Sequence, residues 1–325
     1  MAPGTCLAKK PAARPVRNWR DAPAIVDIQK EVDIVAIGDV HGDYERLIGL
    51  LKRVGIVPET PEAPDKVAWS GGETVLVCTG DLIDKGNRSL DVIACFRALR
   101  QKAADAGGAV YVTMGNHEAE FLADPEDDEK AEKFLDELDH AGIEPSDIAS
   151  GNDRRGVGKF LLALPLAVRI NDWFFAHACD TQGATLANLA REIEDSVNED
   201  GFAADVLVGE RGLLEARLKP IPWWERDGDS PKRSEARLRG YADALGIKHF
   251  VMGHQPGKAK FSDDSKRKAG EMVQKFDGLI FLIDVGMSSA INKSEGAALK
   301  IVSRNGTQSA TRIGAHGDPT QLWSD

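Results

Sequence analysis

Short apolar runs that each end on a glycine are the feature that most restricts how this chain can fold. VDIVAI (32–37) runs into Gly38, TVLVCT (74–79) into Gly80 and AVYVTM (109–114) into Gly115. Between the runs lie stretches of helical periodicity. In DYERLIGLLKRVGI, Leu47, Leu50, Leu51 and Val54 recur at the three-and-four spacing of one buried face. SLDVIACFRALRQKA follows the second run, with Ser89 as its expected N-cap. Strands alternating with helices predict βαβ units and a largely parallel sheet, an α/β chain. Later strands are expected at DWFFAH, HFVMGH and LIFLIDVG. Two charge-rich stretches, DPEDDEKAEKFLDELDHAGI and TLANLAREIEDSVNEDGF, predict amphipathic helices with solvated outer faces and no role in chemistry.

The residues just after the runs carry the chemical signal. Asp39 and His41 follow the first, Asp81 and Asp84 the second, Asn116 and His117 the third; His177 and His254 end later runs. Functional loops of open α/β sheets gather at the carboxyl ends of the strands, so these side chains are expected to converge. A lone GDxHG arises by accident, and a lone buried His is more often structural. Here four of the seven histidines sit at expected strand exits, which favours a metal site over chance. Mixed oxygen and nitrogen donors suit manganese, iron or zinc. Asp39, His41, Asp81, Asn116, His177 and His254 exceed one closed tetrahedral shell and fit two divalent ions sharing a carboxylate.

Composition narrows the class. A net charge of −11 argues against a nucleic-acid binder, which needs a basic face. Cys6, Cys78, Cys95 and Cys179 form no CxxC pair, and a reducing, cytoplasmic setting is expected. No apolar run approaches the roughly 20 residues of a membrane span. The expected organisation is a flexible basic segment over 1–30, a single catalytic domain over 31–305 and a loose tail over 306–325.

GDVHG, GDLIDKG, GNHE, the lone His177 and Gly253-His254 together resemble the ordered signature of the phosphoprotein phosphatases, within the calcineurin-like metallophosphoesterases. The likeness runs from about Val32 to Ser289. FVMGHQP and IDVGMSS are most similar to the Shewanella-like protein phosphatases. The resemblance implies a four-layer fold, two mixed β-sheets packed as a sandwich and flanked by helices. It implies a phosphorylated protein or peptide substrate, at serine, threonine or tyrosine. Asp39, His41 and His254 would hold one ion, and Asn116 and His177 the other, with Asp81 shared. A hydroxide bridging the two ions would attack phosphorus directly. His117 would be the general acid and Asp84 its orienting partner.

The sequence departs from the family at the phosphate clamp. Lys85 stands where the family usually has Arg, exchanging a planar fork for a point charge. Arg226, in a W-x-R match at Trp224-Glu225-Arg226, is the leading substitute, with Arg88, Arg154 and Arg155 as other candidates or plain surface residues. Trp223 and Trp224 would wall the pocket or pack in the core, and Cys179 is expected to be an inert packed thiol. A symmetrical dinucleoside-tetraphosphate hydrolase is the alternative activity. That group usually lacks an acid at the place of Asp84 and ends its third motif in Asp, where this chain has Glu118. A silent metal-binding scaffold is the third reading, disfavoured by the intact His117 and Asp84.

Overall fold

The computed structural model describes residues 17–325. One six-stranded sheet has the order β1-β5-β6-β7-β11-β10 (Ile25–Ile28, Ala167–Ile170, Trp173–Ala176, His249–Met252, Ile280–Leu282, Val273–Lys275). The other has the order β14-β13-β12-β2-β3-β4 (Thr320–Ser324, Thr307–Gly314, Ala297–Arg304, Ile34–Ile37, Val75–Cys78, Ala109–Val112). Both are mixed: β2, β3 and β4 run parallel while β12 joins β2 antiparallel, and β6, β7 and β11 run parallel while β5 joins β6 antiparallel. A small hairpin, β8 (Ala259–Lys260) with β9 (Lys266–Arg267), stands apart.

The period of two along each strand makes the layers. Ile34 and Ala36 of β2 and Val75 and Val77 of β3 point between the sheets, where they meet Phe175 and Phe281. Val35, Ile37, Leu76 and Cys78 point the opposite way, into a second core shared with the helices. Those helices are α1 (Tyr44–Arg53), α2 (Ser89–Asp105), α3 (Asn116–Ala123), α4 (Asp128–His140) and α5 (Pro145–Ala149). After them come α6 (Val157–Leu162), α7 (Leu186–Asp200), α8 (Asp205–Val208) and α9 (Pro231–Leu245). Each fully buried side chain such as Phe175 or Phe281 contributes about 1.5–3 kcal/mol. The four-layer α/β sandwich is the expected architecture, with more antiparallel pairing than strand–helix alternation alone predicts.

Two expectations about the chain ends are corrected. The stretch expected as a loose tail over 306–325 forms β13 and β14, the edge of the second sheet. Its two-residue turn, Asn305-Gly306, has φ of 53° and 78°, the left-handed pair that a tight hairpin requires. Trp323 of β14 packs edge-on to Trp173, centroids 6.0 Å apart. At the other end, β1 lies inside the expected flexible segment and pairs with β5, and the buried Arg17 donates to the carbonyl of Leu164 at 2.7 Å. Residues 1–16 of that segment lie outside the described residues.

The helix boundary at Ser89 is also built differently. The Ser89 and Leu90 N–H groups donate to the Glu137 carboxylate of α4 at 2.7 and 3.0 Å. The Ser89 hydroxyl instead accepts from Asp84 N–H at 3.2 Å. A carboxylate at a helix N-terminus satisfies orphan donors and complements the dipole. Charge-rich α4, expected to be solvated only, therefore braces the loop that carries Asp84. Among the described residues, no helix is long and apolar enough to cross a membrane. Cys78, Cys95 and Cys179 are buried free thiols.

Candidate metal centre

The carboxyl ends of β2, β3 and β4 meet those of β6 and β7, and the loops leaving them interlock. His41 N–H and Val40 N–H donate to Asp81 O at 2.8 and 3.0 Å, and Gly42 N–H to Leu82 O at 2.8 Å. Glu118, fully buried, joins the second loop to the third. One of its oxygens accepts from Asp81 N–H and Gly115 N–H at 2.9 and 2.8 Å; the other accepts from Leu82 N–H and Ile83 N–H at 2.7 and 3.2 Å. Sequence reasoning used Glu118 only to separate two families and missed this clasp.

The loops are also strained. His41, Asp81, Asp84, Lys85 and His254 all have φ between 45° and 70°. Left-handed non-glycine residues cost about 1–3 kcal/mol each where the surroundings enforce them, and they cluster at functional sites. Glycine is needed where loops touch: a Cβ on Gly115 or Gly253 would fall onto the carboxylate of Asp81 or Asp39.

Inside this frame the donor atoms converge. Nε2 of His41 and Nε2 of His177 lie 3.5 and 3.4 Å from Asp81 Oδ2. His177 Nε2 is 3.0 Å from Asn116 Oδ1 and 3.1 Å from His254 Nδ1. His177 Nδ1–H donates to Thr79 O at 2.7 Å, and His41 Nδ1–H to Ile83 O at 3.2 Å. Those bonds fix the tautomers and turn both Nε2 lone pairs inward. Three neutral lone-pair atoms pressed together repel unless a cation sits at their focus. Burial alone would lower the His177 pKa, but the charges of Asp81 and Asp39 reverse this and lift it to about 10. Two overlapping groups could each hold a metal: His41, Asp81 and His117, and Asp81, His177 and His254. The donor set fits divalent ions with Asp81 common to both.

His254 is expected with Asp39 and His41; its ring lies in the group of Asp81 and His177. Only its backbone N–H reaches Asp39, at 3.1 Å from both oxygens. Asp39 is 2% exposed, and burial first, then the Asp284 charge, hold its carboxyl well above the usual range.

His117 and Asp84 adjoin the donors. His117 Nδ1 lies 3.4 Å from Asp84 Oδ2, and the His117 N–H donates to Asp81 Oδ1 at 3.1 Å. Burial lowers the His117 pKa, but the Asp81 charge and the Asp84 contact outweigh it, and the net shift is upward. Asp84 is buried too, which raises its pKa, yet His117 and Lys85 pull it below the usual carboxylate range. Lys133 N–H of α4 donates to its other oxygen at 2.9 Å.

The clamp candidates scatter. Lys85 Nζ sits 2.9 Å from Asp84 Oδ2. Arg88 lies over the Tyr44 ring, 4.6 Å to the centroid, and pairs with Glu45 and Asp91. Arg155 lines the same outer cleft as Arg88, and Arg154 beside it is exposed. Arg226 is exposed and lines a groove with Glu215, Arg217 and Lys219; Glu215 Oε2 is 3.9 Å from His254 Nε2. Of the four arginines, Arg226 is the one that shares a groove with a residue, Glu215, beside a donor. Arg217 went unnoticed in the sequence, because nothing local marks it; its charge helps lower the His254 pKa, after burial and His177. Trp223 and Trp224 are core residues, and burial pushes the Cys179 thiol up.

Comparison with known proteins agrees with the fold. The chain is 25% identical over 272 residues to Shewanella-like protein phosphatase 1 of Plasmodium berghei, a match covering 80% of this chain and 68% of that protein. A symmetrical bis(5'-nucleosyl)-tetraphosphatase of Enterobacter is 38% identical, but over 87 residues only, 27% of this chain and 24% of that protein. The fold matches the crystal structure of a cold-active protein-tyrosine phosphatase of a Shewanella species with a TM-score of 0.68 at 21% identity, covering 91% of this chain and 82% of that one. A family model described as calcineurin-like phosphoesterase matches residues 32–258, the span that carries all five donor-bearing strand exits. A hydrolase of phosphoesters is what such a centre serves, and the chain belongs to the calcineurin-like phosphoesterase family.

Proposed function

We propose that this phosphoesterase is a metal-dependent protein phosphatase acting on phosphoserine, phosphothreonine or phosphotyrosine, in a cytoplasmic setting and with manganese as its working ion. The observation that carries the reading is the Asp84–His117 pair, 3.4 Å apart beside the donor cluster. An alkyl phosphoester has a strongly basic leaving oxygen and needs a proton donor. A pyrophosphate leaving group needs much less help, so a buried acid pair favours the monoester. The Plasmodium relative, matched over most of the chain, supports the same choice over the local tetraphosphatase match.

Asp81, Asn116, His177 and His254 would hold one ion, and Asp39, His41 and the shared Asp81 the other. When bound, the pair supplies positive charge that draws phosphoryl oxygens and acidifies water. Asp81 and Asp84 raise the His117 pKa, and His117 would deliver a proton from Nε2 to the leaving oxygen while Asp84, 3.4 Å from Nδ1, steadies the ring. Asn116 places His117, its chain neighbour, at the edge of the donors. Thr79 O and Ile83 O keep His177 and His41 in the inward-facing tautomer.

A phosphopeptide panel and a dinucleotide polyphosphate, assayed side by side on chelator-stripped protein with and without added Mn, test the proposal. Phosphopeptide hydrolysis should vanish on stripping and return with Mn. Turnover of the dinucleotide alone would transfer the site to the alternative activity.

Arg226 is the arginine proposed to hold substrate phosphate, from the groove it lines with Glu215, whose carboxylate lies 3.9 Å from His254 Nε2. A charge-assisted hydrogen bond is worth about 1.5–3 kcal/mol, so Arg226→Ala should lower kcat/KM about tenfold or more with metal content unchanged. Wild-type kcat/KM in that variant would remove Arg226 from the clamp and leave Arg217 and Lys219 to be tested.

A further inference from the structure

Arg267 is 2% exposed, unusual for a residue that is almost never fully buried without a partner. It sits on β9, in the hairpin that follows the His254 loop. Its guanidinium reaches three backbone carbonyls: Nε donates to Glu271 O at 2.7 Å, Nη1 to Gln255 O and Nη2 to Asp284 O. Gln255 is the residue after His254, and Asp284 follows β11. One side chain thus ties the loop of a proposed metal ligand to the neighbouring strand exit. Asp284 is itself 1% exposed; its Oδ1 accepts from Gly286 N–H at 2.7 Å, and its backbone packs against Gly38, the residue before Asp39, so closely that a Cβ there would come within 2.8 Å of Asp284 Cα.

We propose that Arg267 and Asp284 are positioning residues for the metal centre: Arg267 locks the His254 loop in place, and Asp284 backs Asp39. This rests on the metal-dependent reading above. Burying a guanidinium costs several kcal/mol unless its donors are matched. Three carbonyls from three separate segments match it here, and a hydrophobic side chain of similar size could pack in the same space but could not join them. Lys could not either, since a single ammonium lacks the planar fork.

Mn binding to stripped protein, followed by titration and by the absorption spectrum of the Co(II)-substituted form, tests the brace without reference to turnover. Loss of an outer partner of a metal ligand typically weakens affinity 10–100-fold. Arg267→Lys should weaken the ion held with His254 by that factor, and Asp284→Asn the ion held with Asp39, each in one of the two binding steps. Both variants should keep the wild-type circular dichroism spectrum, and Lys266→Ala in the same hairpin should bind as wild type. If Arg267→Lys does not fold, the near-isosteric Asp284→Asn decides. Wild-type affinity and spectrum in the folded variants, or equal weakening of both steps in each, would overturn the brace. A wild-type protein that binds no Mn would overturn the metal reading itself, and the brace with it.

Discussion

Replacing His117 by Asn is expected to lower turnover on phosphoserine peptides about 10²–10⁴-fold, the usual contribution of a general acid or base, while metal content stays near that of the wild type. The geometry makes the experiment informative, because His117 has two available roles. It groups with His41 and Asp81 as a set that could hold an ion, and it stands 3.4 Å from Asp84 as a proton donor would. Its link to Asp81 Oδ1 runs through the backbone N–H, which Asn keeps. A ligand role predicts metal loss; an acid role predicts slow chemistry on a full site. The leaving group separates them again. p-Nitrophenolate departs with little protonation, so the loss should be far smaller on p-nitrophenyl phosphate than on phosphoserine. Asp84→Asn should give a milder form of the same pattern, since it leaves the imidazole present but less well held. Equal losses on both substrates, with metal depleted, would make His117 a ligand.

The same residues show what a sequence can and cannot disclose. Asp39, His41, Asp81, Asn116, His117, His177 and His254 were legible because each follows an apolar strand directly, and parallel strands deliver their exits to one edge. The partition of those donors was not legible. It depends on where each ring points, as with His254 Nδ1 at 3.1 Å from His177 Nε2, and no short motif encodes a ring direction. The clamp was opaque for a related reason. Arg88, Arg154, Arg155 and Arg226 are long side chains on loops or helix ends, and tertiary neighbours decide where each one points. The Glu45 and Asp91 carboxylates hold Arg88 at the surface, and Asp84 holds Lys85. The last strands were misjudged although a signal was present. Asn305-Gly306 is a strong two-residue hairpin sign, but the flanking TQSATRIG is polar because it forms β13 near the sheet edge, half exposed. Charge density also misled at α4, where Glu137 and the Lys133 backbone turn an apparently solvated helix into the support of Asp84.

Glu118→Gln should cost more stability than any other near-isosteric change in the centre, though Glu118 touches no proposed substrate position. Its carboxylate accepts four backbone N–H groups, two on each oxygen, from Asp81, Leu82, Ile83 and Gly115. Burial and the Asp81 charge push its pKa upward, and the Gly115 and Ile83 N–H groups pull it down. Gln has one carbonyl oxygen and one NH2, so whichever way the amide is placed, two of the four donors face another donor. Each buried donor left without an acceptor costs about 1–3 kcal/mol. The total of about 2–6 kcal/mol is comparable to the net stability of a typical domain, about 5–15 kcal/mol. Those four amides also set the backbone of the loop whose left-handed Asp81, φ 51°, is the shared ligand in the proposal. Thermal unfolding of stripped protein should therefore fall by several degrees, and Mn affinity should fall with it. An unchanged midpoint would mean that the amide finds other acceptors, and that the two loops are held together by something other than this clasp. A lowered midpoint with unchanged Mn affinity would separate the two effects: Glu118 would stabilise the fold, and the strained loop would keep its geometry through the bonds of Val40, His41 and Gly42 to the carbonyls of Asp81, Leu82 and Ile83.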